Sequence, residues 1–173
     1  MRTAIIGLTL MLGLSGSALA HDTGSHGKHG GHHHAEAGAG GEPGKATDVE
    51  RTITIVATDS AFEPKAISVK AGETIRFVVR NDGKLVHELT IGTAAIQAEH
   101  QSEMLGFSVS GALQTDRFDQ AKLSGHSHGN NVLLAPGKTG EIIWKFAKAA
   151  DLEFGCNVPG HYEQGMKGEF KVD

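Results

Sequence analysis

The chain has 173 residues, 39% of them hydrophobic, with 16 basic residues against 20 acidic ones and a net charge of −4. That length suits one domain with an apolar core and is short for two. The acidic balance lacks the basic footprint that nucleic acid demands, and a single cysteine, Cys156, excludes an internal disulfide.

Arg2 precedes an apolar run from Ala4 to Leu14, and Ala18-Leu19-Ala20 forms a small-residue cleavage site. This pattern predicts a secretory signal peptide over residues 1–20, too short to span a bilayer. No second long apolar run follows, so an exported, soluble chain starting at His21 is expected. Loss of Arg2 takes the basic count from 16 to 15 and the net charge to −5. Residues 21–48 are rich in Gly, Ala and His and carry no large apolar residue. Such a segment cannot bury enough surface to offset its ordering entropy. A disordered, metal-attracting tail is expected, with His21, His26, His29, His32, His33 and His34 as secondary ligands. Cleavage after Ala20 would give His21 a free α-amine beside its imidazole, a pair able to chelate Cu(II).

From about residue 49 the pattern changes to short strands. Thr52 to Ile55 and Ala66 to Val69 alternate polar and apolar residues. Glu73 to Arg80 places Ile75, Phe77 and Val79 on one face, and Asn81 to Lys84 reads as a turn. Further strands are predicted over Val86–Ile91, Lys138–Phe146, Leu152–Cys156 and Gly168–Val172. This rhythm predicts an all-β, antiparallel sandwich. Residues 93–131 interrupt it. Thr93 to Leu105 has helical composition, and Asp116 to Leu123 is expected to form a second short helix. The segment reads as an insertion between two strands. The acidic residues are scattered and read as a solvated surface, and no triad, phosphate loop or carboxylate pair stands out.

The chemistry lies near the C-terminus, in Phe154-Gly155-Cys156-Asn157-Val158-Pro159-Gly160-His161-Tyr162-Glu163-Gln164-Gly165-Met166. Cys-x4-His-x4-Met puts a thiolate, an imidazole and a thioether on one loop between strands. Soft sulfur suits Cu(I), imidazole suits either copper oxidation state, and two His with one Cys and a weak axial Met mark a type-1 copper centre. The second imidazole is assigned to His87, which starts a strand just after a turn and so rests on the scaffold. The alternatives are a buried structural thiol for Cys156, a core methionine for Met166, and structural or solvated histidines for His87 and His161. A lone cysteine in an exported chain, with His and Met at ligand spacing, favours copper. In the insertion, His100, Met104, His126 and His128 form a second group of candidate copper ligands. The competing reading is a polar loop facing solvent.

Residues from about 50 to 173 resemble the cupredoxins, the plastocyanin/azurin family. The leader, the His-rich tail and Cys-x4-His-x4-Met are together similar to CopI-type copper-tolerance cupredoxins. The resemblance implies a Greek-key β-sandwich over residues 49–173, a periplasmic location, copper as cofactor, a redox protein as partner, and copper tolerance with one-electron transfer rather than enzymatic turnover. A respiratory electron carrier would use the same centre without the tail. A cuprous oxidase would need a second copper in the insertion. Many family members place Asn after the upstream His to tie the two ligand-bearing segments together. This chain has Glu88 there, so the properties of the centre do not transfer directly.

Overall fold

A computed structural model describes residues 40–147 and 151–173. The signal peptide expected over residues 1–20 and the tail from 21 to 39 lie outside the described residues.

Among the described residues ten strands are formed: β1 (Gly41–Pro43), β2 (Arg51–Ala57), β3 (Phe62–Glu63), β4 (Ala66–Val69), β5 (Thr74–Asn81), β6 (His87–Gly92), β7 (Asn131–Leu134), β8 (Thr139–Phe146), β9 (Glu153–Gly155) and β10 (Lys167–Val172). They build two five-stranded sheets, ordered β1-β8-β5-β2-β3 and β4-β10-β9-β6-β7. Helix α1 (Ala94–Val109) follows β6 directly. The purely antiparallel sandwich needs correction, because β2 pairs with β5 and β4 with β10 in parallel. The cause is a crossing between layers. After β3 the chain moves to the other sheet as β4, and β5 returns beside β2 in the same direction.

The alternation read from sequence is what fills the interior. In β8, Ile142, Trp144 and Phe146 point inward, and in β5, Ile75, Phe77 and Val79 do the same. Phe154 and Phe170 meet them from the second sheet, with Phe146–Phe170 and Phe77–Phe170 ring centroids at 5.0 and 5.7 Å in edge-to-face arrangements.

Two further expectations need correction. The tail expected to run to residue 48 gives way to structure at Gly41, where β1 pairs with β8 through Gly41↔Phe146 and Pro43↔Trp144. Gly-Glu-Pro carries no strand pattern, since it joins the sheet through backbone alone. A Cβ at Gly41 would lie 2.5 Å from Trp144 Nε1, so glycine lets the strand approach. The second helix expected over Asp116–Leu123 is instead a run of turns. Leu113 bridges to Phe118, and the Asp119 carboxylate accepts from the Ala121 N–H at 3.1 Å. An aspartate that bonds its local backbone competes with helix. Helix α1 runs four residues beyond the helical stretch read to Leu105. It buries one stripe (Ile96, Gln97, His100 and Met104) and stops before Gly111, at φ +74°.

Candidate metal centre

His87 opens β6, and the turn before it is held by Asn81. The fully buried Asn81 amide donates to the Leu85 and Leu134 carbonyls at 2.8 and 3.0 Å and accepts from the Gly83 N–H at 2.9 Å. Cys156 follows β9, His161 lies on the next turn, and Met166 precedes β10. The loop closes on itself: the Cys156 N–H donates to the Met166 carbonyl and the Met166 N–H to the His161 carbonyl, both at 3.0 Å. Pro159 and Gly160, the latter at φ +87°, supply the reversal that returns His161 to the cysteine.

The structure brings His87, Cys156 and His161 together, with their ligand atoms within 4.8 Å of one another. Cys156 Sγ lies 3.3 Å from His161 Nδ1 and 3.8 Å from His87 Nδ1. His87, Cys156 and Met166 are buried, while His161 is half-buried. Burial pushes the Cys156 thiol up to about 12, against the Glu88 N–H that donates to Sγ at 3.4 Å. Burial also lowers both imidazoles, that of His87 against the opposing pull of Asp59. A buried thiol and two neutral imidazoles converging on one point fit a soft cation, which would compensate the thiolate that burial alone disfavours.

Sequence reasoning missed two participants and misread a third. Asp59 accepts from the Lys84 and Leu85 N–H groups at 2.7 and 3.0 Å and sits 3.2 Å from His87 Nε2. Burial works to raise the Asp59 carboxyl, yet the Leu85 N–H and His87 outweigh it and hold it below its ordinary value. A Cβ on Gly83 would fall 2.9 Å from His87 Nε2 and collide with Asp59 Oδ1, so glycine there admits the carboxylate. Gln97 of α1 is the second. Its amide donates to the Thr90 carbonyl of β6 at 3.0 Å, and its oxygen accepts from Asn157 at 2.9 Å. It thereby ties the two ligand-bearing segments in a chain that lacks Asn at position 88. The third is Glu88, which corrects the reading of all acids as solvated surface. It is 1% exposed, because β6 is paired by β7 and β9 and every residue of the strand is buried.

The insertion histidines also converge. Ligand atoms of Glu88, His100 and His126 lie within 4.8 Å of one another, as do those of Glu103, His126 and His128. Burial works against charge on His126, yet bonds to Glu103 and Glu88 raise its imidazole to about 9. Against its burial, the nearby His100 imidazole and the bond from His126 hold Glu88 well below the usual carboxylate range. Met104 packs into the apolar core. The six tail histidines, from His21 to His34, lie outside the described residues.

Residues 49–173 match the family model of copper binding proteins, plastocyanin/azurin family. The chain is 45% identical over 147 residues to the copper-resistant cuproprotein CopI of Pseudomonas aeruginosa, covering 76% of this chain and 81% of that protein. It is 37% identical over 153 residues to CopI of Rubrivivax gelatinosus, covering 82% and 84%. Among solved structures, reduced auracyanin from Roseiflexus castenholzii superposes with a TM-score of 0.55 at 24% identity, over 72% of this chain and 98% of that one.

Proposed function

Since this chain belongs to the plastocyanin/azurin family of copper-binding proteins, we propose that His87, Cys156, His161 and Met166 hold one type-1 copper, and that the protein serves copper tolerance in the periplasm while passing single electrons. The observation that carries the centre is the convergence of His87 Nδ1 and His161 Nδ1 on a buried Cys156 Sγ. The tolerance reading draws on the relatives named for copper resistance. The location draws on the leader, and no helix among the described residues is long and apolar enough to cross a membrane.

Copper supplies a Cu(I)/Cu(II) one-electron couple when bound. The residues supply the rest. Sheet and loop hold the thiol and imidazoles in place, so little reorganises when the charge changes. Burial of His87, Cys156 and Met166 keeps water away. His161 alone of the four reaches the surface. It borders a depression of about 480 Å³ of mixed lining, Leu113, Val158 and Pro159 beside Ser108, Gln114 and Thr115, where a redox partner could approach the imidazole.

The test is optical. Copper loading of the purified protein gives an intense thiolate-to-copper visible band, and Cys156→Ser abolishes it. A colourless Cu(II) complex of the unaltered protein would sink the type-1 assignment.

A further inference from the structure

Successive residues of β6 point to opposite faces. His87 faces Cys156. Glu88 faces the other way, toward α1 and the loop before β7, into a pocket of histidines. Its Oε1 lies 2.6 Å from His126 Nε2 and 3.6 Å from His100 Nδ1, and it accepts from Asn131 at 3.0 Å. Two atoms in this pocket have no hydrogen-bond partner although fully buried: Glu88 Oε2 and His100 Nδ1. Unpaired polar atoms of that kind are costly, above all on a carboxylate. On the far side of His126, Nδ1 lies 3.0 Å from Glu103 Oε2, which is also 3.6 Å from His128 Nε2.

This arrangement repeats a known logic of metal sites. An imidazole ligates through one nitrogen while a carboxylate orients it through the other. Glu103 stands to His126 Nδ1 as Asp59 stands to His87 Nε2. A metal ion that takes the place of the proton on His126 Nε2 leaves two carboxylates facing it, a charge that a divalent ion cancels. We propose that Glu88, His100 and His126 form a second, buried copper(II) site, with Glu103 orienting His126 and His128 at its rim. The donors are oxygen and imidazole nitrogen without sulfur, which suits Cu(II) rather than Cu(I). Among divalent first-row ions, Cu(II) binds such a set most tightly, ahead of Zn(II). The site extends the reading of the insertion histidines. It replaces Met104, which belongs to the core, with the glutamate beside the first centre's own ligand.

The experiment removes the first centre, so that its failure and the failure of this site stay distinguishable. The full chain carrying Cys156→Ser is dialysed to equilibrium against Cu(II), in parallel with the same chain carrying His100→Gln as well. The tail contributes equally to both. The expected result is one tightly held Cu(II) fewer per chain in the double variant, with far-UV circular dichroism unchanged. Equal stoichiometry in two folded chains overturns the proposal. Should His100→Gln not fold, Glu103→Gln at the half-exposed rim replaces it, with an expected tenfold or greater loss of affinity at that site; no loss overturns the proposal equally. A competition arm with equimolar Zn(II) is expected to leave Cu(II) in place. Retention of zinc instead overturns the assignment to copper.

Discussion

His87 presents Nδ1 to the cysteine because Nε2 is engaged by Asp59. A carboxylate on the outer nitrogen makes an imidazole a stronger donor and favours the more highly charged ion. Asp59→Asn is therefore expected to weaken Cu(II) binding about tenfold, the low end of the usual range because Asp59 is 40% exposed. With Cu(I) affinity unchanged, the reduction potential rises by about 59 mV, measurable by redox titration of the visible band. An unchanged potential would leave Asp59 with no role beyond shaping the turn. Cys156, His161 and Met166 were legible because eleven consecutive residues carry all three. Asp59 was not, because it meets His87 across 28 residues of sequence through a turn that only folding creates. Glu88 was hidden for another reason. An acid in an alternating strand reads as the solvent face, and only the docking of α1 turns that face into interior.

At the scale of elements, α1 links the insertion to the loop that bears the cysteine. Gln97, fully buried, joins Thr90 of β6 to Asn157, the residue after Cys156. Gln97→Ala removes two buried hydrogen bonds and leaves the Asn157 amide without that partner. It is expected to destabilise the copper-free protein by about 2 kcal/mol, read as a lower denaturant midpoint at constant slope. A loss below about 0.5 kcal/mol would mean that water replaces the bonds and that the helix does not brace the loop. Strands β2, β5 and β8 were readable from alternation, since each has one face on the core. β1 and β3 were not: three and two residues joined by backbone pairing carry no period. β7 was not read as a strand: its first residue, Asn131, falls in the segment read as insertion, and Asn130-Asn131 looks like loop. Yet Asn130 donates to the Ile91 carbonyl at 2.8 Å and Asn131 to Glu88 at 3.0 Å, so both are interior structure.

For the whole molecule, the boundary of the fold decides how the tail can be tested. β1 begins at Gly41 and packs on Trp144, so a deletion of residues 21–48 would injure the sheet as well as remove the histidines. Deleting 21–39 separates the two. The shorter deletion is expected to leave the visible band and the melting temperature unchanged while copper tolerance of the host falls. Unchanged tolerance would favour a dedicated electron carrier instead. The two-sheet architecture was legible in outline from strand rhythm and family resemblance, but the two parallel pairings were not, because strand direction depends on which layer each crossing enters. One of those pairings has a consequence in time. β4 is completed in its sheet by β10, the last strand of the chain, through Ala66↔Glu169 to Val69↔Val172. Cys156, His161 and Met166 lie just before that strand. A chain delivered N-terminus first therefore presents its histidine-rich segment early and finishes its thiol centre last. Until Met166 arrives the cysteine has no closed loop to sit in, and until Val172 arrives that loop has no completed sheet behind it.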